Sequence, residues 1–284
     1  MKLFMKPIAF ATIGAFSTFM ALGTLAPASA GSMLEAISAK GAISVGTEAH
    51  YPPMEFLEDG KIVGYGKDIL DLVIADMGVK LDQLELPWQG ILPGILAKKF
   101  DIVATSVSIT PERVAKYAFT RPIATFQTMI IKKDGDDSVA GLGDLNGKVI
   151  GVELGSIQVQ QLEALDGEMK NSGGSGFSEI RAFTSTDDMR LSLASGQVDL
   201  ATIPSIALGM MQKQRPGLYA QVGTIGEVKL FAWLTHPDSS DLRDRVSEVI
   251  LRLQQDGTLT KLQMKWFGFE MDLPTEGYLP EGAL

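Results

Sequence analysis

Asp101-Ile102-Val103-Ala104-Thr105-Ser106-Val107-Ser108-Ile109-Thr110-Pro111-Glu112-Arg113 reads as a strand that runs straight into a helix. Positions 101–107 are mostly apolar and rich in β-branched residues, as in a buried strand. Thr110 is a good N-cap and Pro111 suits the first helical position, so a helix is expected over 111–118. Glu112 is favourable in a first turn, whereas Arg113 there opposes the helix dipole. A helix N-terminus offers free N–H groups and partial positive charge to an anion. A guanidinium added to it makes a bidentate carboxylate site, and Ser106 and Ser108 place hydroxyls just upstream. The plain alternative is a surface arginine paired with a nearby acid. The segment alone weighs the two equally.

Strand-to-helix units recur on both sides of this stretch. Strands are expected at 43–48, 81–88, 127–132, 148–153, 180–183, 198–203 and 228–234. Helices are expected at 67–77, 91–99, 156–165, 186–195, 205–213, 241–255 and 258–266. The polar, glycine-rich 166–178 reads as a loop. Such alternation predicts an α/β fold with mainly parallel sheets. One series ends near residue 126 and a second spans about 145 to 213, so two lobes are expected, joined by hinge strands near 127–132 and 228–234. Open α/β sheets bind ligands at the carboxyl ends of their strands, and two such lobes face to face make a cleft that can shut.

The first residues stand apart from the fold. Lys2 and Lys6 precede an apolar run over 8–25, and Ala28-Ser29-Ala30 then supplies a small-x-small site. This is the pattern of a signal peptide cleaved after Ala30. An uncleaved membrane anchor is the alternative, and Pro27 with the site beyond it favours cleavage. Hydrophobic residues make up 45% of the 284, enough for a sizeable core. Net charge is −9, and loss of 1–30 removes two cations and no acid. So acidic a surface argues against nucleic acid or anionic membrane as partner. The chain has no cysteine, which excludes disulfides, thiol nucleophiles, thiolate metal sites and a lipid-modified N-terminal cysteine. His50 and His236 lack metal-ligand spacing, so no metal or cofactor is expected. A soluble periplasmic protein is.

Several motifs, in order, resemble the family 3 periplasmic solute-binding proteins, the polar amino-acid receptors of ABC importers. They are Val45-Gly46-Thr47-Glu48-Ala49-x-Tyr51-Pro52-Pro53-Met54-Glu55-Phe56, Gly60-Lys61-Ile62-Val63-Gly64-Tyr65, Trp88-x-Gly90-Ile91-Leu92-Pro93, Asp101-Ile102, and Ser108-Ile109-Thr110-Pro111-Glu112-Arg113. Leu145-x-Gly147-Lys148-x-Ile150-Gly151-Val152, Gly196-Gln197-Val198-Asp199 and Lys265-Trp266-Phe267-Gly268 continue the series. The resemblance covers about residues 40–268. It implies a two-lobed type II periplasmic-binding fold, each lobe a mixed sheet flanked by helices. Lobe 1 would be 31–126 plus 232–284, and lobe 2 would be 127–231.

The resemblance also implies roles. Arg113 would grip a ligand carboxylate, helped by the N–H of Ser108, with Ser106 contributing its carbonyl or hydroxyl. Tyr51 and Trp88 would sandwich the ligand side chain, and Glu48 would face it. Ser156, Ile157 and Gln158 would add donors from the second lobe, Ile157 only through its backbone because the family often has threonine there. Gly66 departs from a common aspartate. The largest departure is Pro204, where the family usually places the aspartate that pairs with the ligand's α-ammonium. Either another acid, Glu48 or Glu153, takes that part, or the ligand lacks a free primary α-amine. The expected function is a monomeric, non-enzymatic receptor that delivers its solute to an inner-membrane permease. The alternative is an enzyme on the same scaffold resembling periplasmic cyclohexadienyl dehydratases. Phe231 and Trp233 read as core, and Asp187-Asp188 as charge at a helix N-terminus.

Overall fold

The computed structural model describes Met1 and residues 32–284. The expected signal peptide and its cleavage after Ala30 lie outside the described residues. One mixed eight-stranded sheet spans the molecule. Its order is β5 (Lys80–Glu85), β1 (Ala42–Thr47), β6 (Ile102–Ser108), β11 (Tyr219–Thr235), β7 (Ala118–Lys133), β10 (Leu200–Pro204), β8 (Val149–Glu153) and β9 (Glu179–Phe183). The outer pairs β1–β5, β1–β6, β8–β9 and β8–β10 are parallel. The central pairs through β7 and β11 are antiparallel. The expected parallel sheets are therefore present on the two flanks and are welded by a long antiparallel ribbon. A second, three-stranded sheet of β2 (His50–Tyr51), β3 (Glu55–Glu58) and β4 (Lys61–Val63) folds the motif after Glu48 into a meander.

Helices cover both faces of each flank, as buried parallel strands require. On the β1–β6 side, α1 (Met33–Lys40), α2 (Tyr65–Met77), α8 (Ser240–Gln255) and α9 (Thr258–Trp266) lie on one face and α3 (Trp88–Leu96) on the other. On the β8–β10 side, α5 (Ile157–Asn171) covers one face and α6 (Thr186–Ala194) with α7 (Leu208–Gln214) the other. Trp266 ties the C-terminal helix back to the start of α2, its indole N–H donating to Asp68 at 2.7 Å.

Four expectations need correction. The helix expected over 111–118 is a single turn, α4 (Pro111–Val114), because β7 begins at Ala118. The strands expected at 127–132 and 228–234 are parts of β7 and β11, which run 16 and 17 residues through both flanks. The expected loop 166–178 begins late, since Leu162, Leu165 and Met169 extend the apolar face of α5 to Asn171. Trp88 ends no strand. It opens α3.

Candidate functional site

Strand β1 ends at Thr47, β6 at Ser108 and β8 at Glu153, so three carboxyl ends meet on one side of the sheet. A small cavity lies there. Its walls are Glu48, Tyr51, Trp88, Ser106, Ser108, Arg113, Glu153, Ser156, Ile157, Gln158 and Phe231. Every residue singled out from the sequence is among them except Pro204. Pro204 sits at the end of β10, paired with Thr128 and buried in the sheet, and its ring does not reach the wall.

Arg113 is placed by the turn that Thr110 caps, its own N–H donating to Thr110 Oγ1 at 3.2 Å. A one-turn helix has little macrodipole. The anion-attracting character of this corner therefore comes from the guanidinium itself. Arg113 donates from Nη1 to the Ser108 carbonyl and from Nη2 to the Gly155 carbonyl, each at 3.2 Å. Its Cζ lies 5.4 Å from the centre of the Trp88 ring. No carboxylate forms an ion pair with it among the described residues. Burial lowers its pKa, and the guanidinium remains charged. Gly155 takes φ +78°, and a Cβ there would come 3.5 Å from the Trp88 indole nitrogen. A glycine lets this turn approach the indole without backbone strain.

Two of the serine hydroxyls are committed to the protein. Ser106 Oγ donates to buried Glu55 Oε2 at 3.0 Å, and burial pushes Glu55 up to about 8. Ser156 stands just before α5 but does not cap it: its hydroxyl donates to the Glu153 carbonyl at 2.7 Å. The aromatic wall is Tyr51 edge-on to Phe231 at 6.0 Å, with Phe231 stacked on Phe126 at 3.8 Å. Phe231 is thus both core and cavity wall. Burial and neighbouring acids raise the Tyr51 pKa.

Glu48 and Glu153 are both buried and lie within hydrogen-bond reach of each other. For Glu48, burial raises the pKa first and the charge of Glu153 second. Burial also raises Glu153, against the pull of Arg190 and Arg113. Two carboxylates this close cannot both stay ionised, so the pair holds a proton. Glu153 and Phe231 were not singled out as wall residues from sequence. A signal for Glu153 existed, since Glu48 follows the first strand of one βα series and Glu153 ends the first strand of the other.

Contacts join the two flanks around the cavity. His50 Nδ1 lies 2.8 Å from Asp187 Oδ2, and its Nε2 lies 3.2 Å from Glu85 Oε1. Thr186 donates to the His50 carbonyl at 2.9 Å, and Gln89 to the Thr184 carbonyl at 3.2 Å. Asp187 is therefore more than helix charge: it meets His50 at the start of β2.

Residues 43–269 match the bacterial extracellular solute-binding proteins, family 3. The L-cystine-binding protein TcyJ of Escherichia coli (strain K12) is 27% identical over 242 residues, 84% of this chain and 87% of that one. An ancestral arginine-binding protein bound to arginine is 30% identical, with a TM-score of 0.73 over 80% of this chain and 99% of that chain. An ancestral amino acid-binding protein described as a precursor of cyclohexadienyl dehydratase is 26% identical, with a TM-score of 0.73 over 84% of this chain and all of that one. Even this last relative is named for binding, and the dehydratase alternative is not favoured. The match over most of its length, on this two-lobed fold, places the chain in the family 3 bacterial extracellular solute-binding proteins.

Proposed function

We propose that this chain is the exported receptor of an ABC importer and that it closes on a small amino acid or amino-acid derivative, with Arg113 as carboxylate clamp. The observation that carries the proposal is the guanidinium in the cavity. It is held by carbonyls from both flanks and stacked near Trp88, and among the described residues no ion pair engages it. A half-buried cation so placed favours an anion that presents two oxygens. Tyr51, Trp88 and Phe231 would line the ligand side chain, while Ser108, Ser156, Ile157 and Gln158 would add donors around the carboxylate. Relatives named for cystine and arginine binding support the amino-acid class.

In this reading 127–231 forms the second lobe, the remainder of the chain after residue 30 forms the first, and the protein works as a periplasmic monomer. The β7–β11 register shifts between Ile225 and Lys229, opposite Phe126 and Thr128, a natural place for the ribbon to bend. The His50–Asp187 and Gln89–Thr184 contacts would latch the closed form, which an inner-membrane permease would receive. No helix among the described residues is long and apolar enough to cross a membrane.

A thermal-shift screen of the purified protein against amino acids, opines, betaines and cyclic derivatives tests the proposal. At least one carboxylate should raise the melting temperature, and Arg113→Ala should abolish the response. Silence from every carboxylate, or an undiminished response in Arg113→Ala, would sink the assignment.

A further inference from the structure

The cavity contains more acid than a carboxylate site needs. Glu48 comes from the β1 side and Glu153 from the β8 side, and the two meet within hydrogen-bond reach. Glu153 Oε1 is buried and has no hydrogen-bond partner among the described residues unless Glu48 carries a proton. An acceptor left this way costs stability until a donor reaches it. Within the sheet β8 is the neighbour of β10, which ends at Pro204, a residue with neither charge nor N–H. The strand beside the one that ends at Pro204 thus ends in an acid, and the free oxygen of that acid faces a second acid.

Other groups face the pair from every side. His50, Glu85 and Glu55 act on Glu48, and Arg190 and Arg113 act on Glu153. His50 is already engaged with Asp187 and Glu85. Arg113 has its own carbonyl partners. Arg190 is paired with Asp187. Among the described residues no cation therefore pairs with the two acids, and a proton holds them together.

We propose that Glu48 and Glu153 form a two-carboxyl cation site, that the solute taken beside Arg113 carries an N–H-bearing cation, and that its capture expels the proton the acids share. This rests on the carboxylate-binding reading above. N–H groups are required because the orphaned Glu153 oxygen needs a donor, which a quaternary ammonium lacks. The expelled proton passes to solvent buffer as the ligand cation takes its place between the carboxylates. Affinity therefore rises with pH wherever the free protein still holds that proton.

Isothermal titration calorimetry of the purified protein tests this. The probes are α-amino acids, each compared with analogues that lack one cationic group and with its N,N,N-trimethyl derivative. Removing the cation or its N–H groups should weaken binding roughly 10- to 150-fold. Titrations in two buffers of different ionisation enthalpy should show proton release, and affinity should climb from about pH 7 toward about pH 9. In Glu153→Gln and in Glu48→Gln both the release and the climb should vanish. A carboxylate that binds equally well without its cation, or as the trimethyl form, overturns the inference and leaves the Arg113 clamp standing. So does binding without proton release. A pH dependence that survives in both Glu153→Gln and Glu48→Gln also overturns it. Absence of any carboxylate binding removes the clamp and this inference together. The wild-type arm stands even if a variant fails to fold.

Discussion

Gly66 leaves the space that Glu55 fills. A Cβ at position 66 would lie 1.8 Å from Glu55 Oε1, so a larger side chain such as aspartate has no room here. Glu55 in turn accepts the Ser106 hydroxyl beneath the cavity. Gly66→Ala must push this carboxyl aside, with an expected loss of about 1–3 kcal/mol in denaturant melts and weaker ligand binding as Ser106 shifts. An unchanged midpoint would show that Glu55 has other room. Burial pushes Glu55 up to about 8, above its unfolded value. The folded state then holds a proton that the unfolded state releases first, so this group's contribution to stability falls as pH rises from about 4.5 toward about 8. Glu55→Gln removes that slope. Its melting temperature should gain on wild type between about pH 5 and about pH 8, and parallel curves would contradict the assignment. From the sequence, Gly66 was legible as a departure, but its reason was not, because the colliding side chain comes from a strand of the small second sheet.

Elements were legible where the pattern is local. The helix expected over 258–266 is α9, its apolar residues spaced for one face. Length was not legible where it depends on distant partners. β7 and β11 are long because each pairs across both flanks, and α4 is short because β7 claims the chain after Tyr117. The start of β2 and the start of α6 also meet only in three dimensions. His50 and Asp187 are 137 residues apart and 2.8 Å from each other in space. If this contact belongs to the closed form alone, Asp187→Asn should weaken ligand affinity by about two- to fivefold, carried by faster dissociation. Stopped-flow release measures this, and a slower association with unchanged release would point elsewhere.

On the scale of the whole molecule, the cleft follows from topology: two βα flanks turn their strand ends toward one another, and the side chains near those ends line the cavity. Most wall residues were legible because ordered motifs give their positions. Glu153 was considered only as a substitute acid, and Phe231 was read as core, since one sequence position cannot reveal that a residue does both. The central claim is that Arg113 reads a carboxylate. Calorimetry of one bound amino acid and its carboxamide, in wild type and in Arg113→Ala, tests it directly. In wild type the amide should bind roughly 10- to 150-fold more weakly than the acid, and in Arg113→Ala the two should bind nearly alike. An equal preference for the acid in both proteins would contradict the clamp.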